Sequence, residues 1–357
     1  MEFDVVPHPN PTPESAIAEA LADIGFGTTY TDHTVVVDYR VGTGWHSARV
    51  EPFGDITLSP AAAVLHYAET IFEGLKAYVH DDGSVYTFRP EANADRFRRS
   101  ARRMALPELP EEVFVASLEE LVSRDKAWVP NGEGESLYLR PFLFATEAFL
   151  GVRPATEFTY RVIASPAGNI FGGELRPVKI WVSRDYVRAA PGGTGSAKTG
   201  GNYAGSLVAQ RQAIEKGCDQ VLFLDPLHEN AVEELGGMNV FLVRDDNTLI
   251  TPELTGTILE GVTRDSIIQL AKDRGFTVEE RRIRLEEWAA GAADGSITEA
   301  FACGTAAVVT PIGQLLDGEE TITMTGDFST TMSLREELLG IQTGRVEDRH
   351  HWLHKLA

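Results

Sequence analysis

A single lysine, Lys198, lies in a stretch of small residues, Ala189-Ala190-Pro191-Gly192-Gly193-Thr194-Gly195-Ser196-Ala197-Lys198-Thr199-Gly200-Gly201-Asn202-Tyr203-Ala204. Glycines allow backbone turns closed to other residues and let the chain approach a ligand closely. A lysine with so few competing side chains suits either a phosphate contact or a Schiff base with a carbonyl compound. The phosphate reading is a nucleotide-binding P-loop, Gly-x-x-x-x-Gly-Lys-Ser/Thr, holding Mg-ATP through Lys198 and Thr199. Counted from Gly192, its sixth position is Ala197, where glycine is required. Lys179-Ile180-Trp181-Val182-Ser183 reads as the preceding strand, but Gly200-Gly201-Asn202-Tyr203 is expected to make a poor first helical turn. A solvated lysine on a flexible loop is the plain alternative, and other parts of the chain argue against it.

Those parts are two turns, a carboxylate pair and an arginine-rich helix. Gly261-Val262-Thr263-Arg264 leads into a helical pattern, with Thr263 expected as the N-cap, and helix N-termini attract phosphates. Cys303-Gly304-Thr305-Ala306-Ala307 is a second tight turn, leading into an apolar run, with backbone donors to offer an anion. Glu233 and Glu234 are adjacent in a strand-like run, so one is expected to face inward and the other water. An inward carboxylate needs a partner, and a protonated heterocyclic nitrogen would serve. Among Arg96, Arg98, Arg99, Arg102 and Arg103, one turned inward would grip a phosphate. Lysine, anion sites and inward glutamate together fit pyridoxal 5′-phosphate, which needs each of them.

The elements that must position these residues follow from periodicity. Strands are expected at 34–39, 84–88, 137–140, 160–164, 221–224 and 238–243, and helices near 91–104, 111–127, 203–216, 263–274 and 329–340. Before them, an extended proline-containing arm leads into a short helix. Ser165-Pro166-Ala167-Gly168-Asn169 through Gly172-Gly173 breaks the pattern and reads as an interdomain connection. The expected organisation is an N-terminal α/β domain over 1–167, a connection over 168–177, and a C-terminal cofactor-binding domain over 178–357. The fold class is α/β or α+β.

Composition bounds the rest. The 357 residues are 43% hydrophobic and 24% charged, ordinary for a globular protein, and long enough for two domains. A formal net charge of -21 argues against nucleic acid and anionic membranes as partners. Two cysteines, Cys218 and Cys303, make no disulfide framework, and the start shows no signal peptide, so a cytoplasmic location is expected.

From about Phe26-Gly27-Thr28-Thr29-Tyr30 onward the chain resembles the branched-chain amino acid aminotransferases, fold-type IV enzymes dependent on pyridoxal phosphate. The resemblance rests on His66-Tyr67-Ala68, Phe72-Glu73-Gly74-Leu75-Lys76-Ala77-Tyr78, Phe88-Arg89-Pro90, the Lys198 loop, Glu234-Leu235-Gly236-Gly237-Met238-Asn239, Gly261-Val262-Thr263-Arg264 and Gly304-Thr305-Ala306. It implies a two-domain fold with the active site between the domains, and a homodimer. Lys198 would carry the cofactor and move the proton, Glu234 would pair with its ring nitrogen, and Tyr203 would lie against its phenolic oxygen. Arg96, Val262, Thr263 and Thr305 would gather its phosphate. The substrate carboxylate would sit near Thr305-Ala306 with help from Tyr67. Tyr30, Phe72, Tyr138, Leu150 and Val152 would line the pocket, with Leu150, Val152 and Tyr67 reaching it from the partner subunit. Arg140, on the same strand face as Tyr138, would meet the distal carboxylate of glutamate. The implied reaction moves the amino group between leucine, isoleucine or valine and 2-oxoglutarate. A D-amino-acid transaminase or an aminodeoxychorismate lyase would keep Lys198 and Glu234 but need another pocket.

Three positions depart from the family pattern. Ala307-Val308-Val309-Thr310 replaces the Cys-x-x-Cys pair of the animal enzymes, excluding thiol regulation there. Gly237 stands where relatives can have threonine, and Ile170 where they often have tyrosine before Phe171. Near the end, His350 and His354 have i,i+4 spacing, which reads as a terminal helix rather than a metal site.

Overall fold

The computed structural model describes residues 1–168 and 175–357. Contacts divide the chain into two units, Met1–Gly173 with Ala197–Gly200 and Gly340–Ala357, and Glu174–Ser196 with Gly201–Leu339. The division expected from the sequence is linear, whereas here the lysine segment and residues 340–357 group with the first unit. Most of the expected 168–177 connection, including Ile170 and Phe171, lies outside the described residues. The pattern break read from Ser165 onward begins later, because Ser165, Pro166 and Ala167 pair with Tyr138, Leu137 and Ser136 at the end of strand Glu157–Ala167.

The first unit is built on a nine-stranded sheet. Its order is Asp4–Val5, Gly44–Pro52, His33–Arg40, Glu157–Ala167, Ser136–Ala145, Leu75–Val79, Val85–Phe88 and Leu353–Lys355, with Thr70–Phe72 also on Ser136–Ala145. The expected terminal helix is instead the edge strand Leu353–Lys355, which pairs antiparallel with Val85–Phe88. In Ser136–Ala145, Leu137, Leu139 and Leu143 turn into the core while Tyr138, Arg140 and Phe142 share the other, half-exposed face, as strand alternation dictates. Leu75 pairs with Leu139 and Phe72 with Phe142, so both strands keep one register with Glu73-Gly74 interrupting them. Opposite the interruption lies Pro141, which has no N–H to give a ladder, and its carbonyl accepts the Glu73 N–H at 2.7 Å.

Two helices, Pro90–Arg103 and Glu111–Arg124, contribute to the core of this unit. Pro90 opens the first at a position needing no N–H, and Arg102 and Arg103 close it where the dipole favours cations. Phe97, Phe114 and Tyr160 meet with ring centroids 5.5–6.3 Å apart, and the Tyr160 hydroxyl lies 2.9 Å from that of Ser117.

The second unit has its own nine-stranded mixed sheet, in the order Val232–Leu235, Gln220–Leu224, Val178–Val182, Val308–Asp317, Ile297–Gly304, Asn239–Arg244, Thr248–Thr251 and Thr277–Glu280, with Glu320–Thr323 on Val308–Asp317. Helix Gly200–Glu215 starts at the glycines expected to disfavour it and packs Ala209 and Ala213 on Val221 and Phe223. The glycines therefore do not exclude a P-loop, whereas Ala197 in place of the motif's glycine does. Helices Val262–Asp273, Leu285–Asp294 and Ser329–Gln342 follow along the chain.

Candidate active site

Lys198 is fixed by its backbone. Its N–H donates to the Ser100 hydroxyl at 2.9 Å, and its carbonyl accepts the Phe72 N–H at 3.0 Å. Thr199 bridges to Ile71, and its hydroxyl donates to the Thr70 carbonyl at 2.8 Å. Ala197–Gly200 is thus held along strand Thr70–Phe72, and the Lys198 ammonium sits 5.0 Å from the centre of the Phe72 ring.

Immediately after Phe72, Glu73 is fully buried. Its carboxylate accepts Arg96 Nε–H and Nη2–H, both at 2.8 Å, and Asn93 Nδ2–H at 2.8 Å. Asn93, Arg96 and Ser100 lie on one helical face at i, i+3 and i+7, so a single face serves both Glu73 and Lys198. Burial alone would raise the Glu73 pKa, but Arg96, then Lys198 and Asn93, outweigh it and hold the carboxyl below its ordinary value. Arg96 is therefore the inward arginine expected, and one edge of its guanidinium, Nε and Nη2, is committed to Glu73.

The expected pocket residues divide into two groups. Arg140 stacks 4.8 Å from Phe72 and 5.3 Å from Tyr138, and its Nη2 donates to the Tyr138 hydroxyl at 3.0 Å. Among the described residues its buried Nε finds no hydrogen-bond partner. Phe26 packs edge-on against Tyr138 at 5.1 Å, and a side chain at Gly74 would collide with the Tyr138 hydroxyl. Phe72, Tyr138, Arg140 and Lys198 thus come together. Tyr30 instead stacks on Phe53 at 4.8 Å. Tyr67 donates to the Leu150 carbonyl at 2.5 Å, and the Leu150 and Val152 side chains project into solvent at 66% and 90% exposure.

The second unit holds Tyr203, Glu234, Val262, Thr263, Thr305 and Ala306. Glu233 and Glu234 are both buried, correcting the expectation that one faces water, because Val232–Leu235 is covered on both faces. Glu234 Oε1 accepts the Leu259 N–H at 2.7 Å and pairs with Arg188 Nη1 at 2.9 Å. The same Arg188 nitrogen donates to the carbonyls of Gly195 and Thr257 at 3.1 and 2.7 Å, tying the glycine-rich loop to the glutamate. Glu233 accepts from the Thr257 hydroxyl, its Oε2 has no partner among the described residues, and burial pushes its carboxyl up.

Thr263 is not the N-cap. Gly261 takes that place, and Thr263 is the second helical residue. A side chain at 261 would collide with Asn239 Oδ1, which explains the glycine. Asn239 also donates to the Leu259 carbonyl at 3.0 Å and pairs with Cys303, so it joins this helix start to the strand entering the Thr305–Ala307 turn. Among the described residues no side chain caps the helix, although Val262, Thr263 and Arg264 are buried. Buried helical N–H groups call for an acceptor, and an anion is the natural one. These residues therefore fit a phosphate-bearing cofactor. Gly237 has open space where a side chain would project, so a threonine there would be sterically free.

Sequence reasoning gave no role to Glu73, Asn93, Ser100, Arg188 or Asn239. Only Glu73 and Asn239 stood within quoted motifs.

A model of the amino-transferase class IV family matches residues 70–315. A branched-chain-amino-acid aminotransferase of Mycolicibacterium smegmatis is 55% identical over 362 residues, covering 100% of this chain and 98% of the relative. Branched-chain-amino-acid transaminase 1 of Bacillus subtilis is 46% identical over 334 residues, covering 93% and 94%. Among solved structures, the branched-chain aminotransferase of Thermoproteus uzoniensis with norvaline matches with TM-score 0.77 and 26% identity, covering 91% of this chain and 100% of that one. The branched-chain amino acid aminotransferase of Thermobaculum terrenum in its PLP-bound holo form matches with TM-score 0.72 and 26% identity, covering 92% and 100%.

Proposed function

We infer, from the premise that this chain belongs to the amino-transferase class IV family, that it is a pyridoxal-phosphate-dependent transaminase acting on branched-chain amino acids. The observation that carries the substrate class is the 55% identity with the mycobacterial enzyme over the whole chain. Bound pyridoxal phosphate supplies a carbonyl to receive the amino group and a ring to delocalise the electrons left on the substrate α-carbon.

The chain's own residues then divide the work. Lys198 moves the proton to and from the α-carbon, and its pinned backbone limits where that amine can reach. Glu234, held by Arg188 and the Leu259 N–H, offers a carboxylate to the ring nitrogen. The helix start at Val262-Thr263 and the Thr305 turn offer donors to the phosphate, joined by Arg96, and Tyr203 meets the phenolic oxygen. Thr305-Ala306, with Tyr67 of a second copy, receives the substrate carboxylate.

Phe72 and Tyr138 provide an apolar surface for a branched side chain, with Tyr30 at its margin. Arg140, held beside Phe72 and Tyr138, provides the contact for glutamate's distal carboxylate. Leu150 and Val152 complete the pocket of a second copy, so the working form is a homodimer. The exposure of both side chains suits that role. No helix among the described residues is long and apolar enough to cross a membrane, and two unpaired thiols suit the reducing cytoplasm.

The test is a visible spectrum of the holoenzyme given L-leucine alone, then 2-oxoglutarate. The cofactor band should fall with the first and return with the second, and Lys198→Ala should abolish both changes. A band that ignores L-leucine but answers D-alanine would overturn the substrate class.

A further inference from the structure

Strands Ile297–Gly304 and Val308–Asp317 form a hairpin in which Gly304 faces Val308 across the three-residue turn Thr305-Ala306-Ala307. In short hairpins a residue leaving the turn commonly adopts the left-handed conformation, and glycine is favoured there. Here it is Val308, with φ of 62°. Among the described residues it is the one β-branched side chain at positive φ. That conformation crowds a branched side chain and persists only where the surroundings over-determine it.

The surroundings are specific. Arg335 Nη1, from helix Ser329–Gln342, donates to the carbonyls of Ala307 and Val309 at 2.8 and 2.6 Å, one on each side of Val308. The start of the same helix is fixed to the incoming strand. Glu299 accepts the Thr330 and Thr331 N–H groups at 2.9 and 2.7 Å and the Thr331 hydroxyl at 2.6 Å. One helix therefore grips the hairpin on both strands, by its first turn on Glu299 and by Arg335 on the exit from the turn.

We propose that Arg335 is a positioning residue for the anion-binding turn, acting by clamping the strained Val308 backbone. The inference rests on the reading above that Thr305-Ala306 receives the cofactor phosphate and substrate carboxylate. Donors serve an anion only when their directions are set beforehand, and the turn's direction depends on the dihedrals of Val308. Arginine suits the task because its charge strengthens both carbonyl contacts, a charge that no deprotonation removes at working pH.

The test measures pyridoxal phosphate affinity by titration of the full chain, together with kcat and KM for L-leucine. Arg335→Met should weaken cofactor binding by about tenfold or more and raise KM, with kcat at saturation changing little. Glycine takes positive φ without strain, so the loss caused by Arg335→Met should shrink several-fold when Val308→Gly is also present. An equal loss with and without Val308→Gly would overturn the proposal, as would a fall in kcat with KM unchanged. Thr305→Ala separates the two ideas. If it weakens cofactor binding while Arg335→Met does not, the clamp alone fails. If Thr305→Ala leaves binding intact, the reading of the turn fails and the proposal falls with it.

Discussion

Glu73 and Arg96 form an ion pair whose removal should be measured as stability before it is measured as activity. Their side chains are 0% and 5% exposed, so water screens the pair very little, unlike the surface pairs elsewhere on this chain. Glu73→Gln keeps the volume and one acceptor, but turns an amide N–H₂ toward the N–H groups of Arg96 or Asn93. The guanidinium is then left buried without its counter-charge. Breaking one side of such a pair costs about 3–5 kcal/mol. For a domain of roughly 150–250 residues, each kcal/mol moves Tm by about 2–4 °C, giving a fall of roughly 6–20 °C. Differential scanning calorimetry of the full chain reads this directly. Replacing both partners, Glu73→Met with Arg96→Met, removes the charges together and should recover much of the loss. A shift below about 2 °C for Glu73→Gln, or a double variant no better than the single, would refute the reasoning. The pH dependence has a definite sign. Glu73 is held below its ordinary value, so its contribution is complete above the usual carboxylate range and disappears as pH falls through the depressed value.

Arg188→Met should loosen the glycine-rich loop and leave Glu234 short of its counter-charge. Cofactor affinity and Tm should fall together, and a variant matching the parent in both would show that the Leu259 N–H suffices. Glu147 is held at about 2, first by the Arg153 guanidinium and then by Thr156, against the opposing effect of burial. Its tie on the segment carrying Leu150 and Val152 should persist through pH 3 and weaken only toward pH 2, as followed by limited pepsin cleavage. Cleavage of this segment appearing between pH 5 and 4 would contradict it. Burial pushes the Cys303 thiol up to about 12, so at pH 8 it should resist iodoacetamide in the folded protein and react once the protein is unfolded in urea.

How far the sequence led varied with how local the causes were. Alternation in 137–140 placed Tyr138 and Arg140 on one face because strand geometry needs no knowledge of the rest of the fold. The crowding of glycines around Lys198 was equally local. Glu73 as the partner of Arg96 was not legible, because it depends on Thr70–Phe72 and Leu75–Val79 sharing Ser136–Ala145 across an interruption set by Pro141. Thr263 has good capping chemistry, yet the cap falls on Gly261 because Asn239 fills the space a side chain would need there. Alternation misled at Glu233 because it assumes one wet face, and this strand has none. His350 and His354 suggested a helix, but Val85–Phe88 had an open edge, and long-range pairing overrode the local pattern.

That edge has a consequence in time. The strand Leu353–Lys355, which covers Val85–Phe88, leaves the ribosome only after the whole second unit has been made. At about 5–20 residues per second, Val85–Phe88 waits roughly 10–50 s for its neighbour. Throughout that interval its outer row of N–H and C=O groups is a template for strands of other chains. The nascent chain therefore exposes an edge that the finished fold covers, and adding a holdase chaperone during synthesis should raise soluble yield without touching the stability of the finished fold.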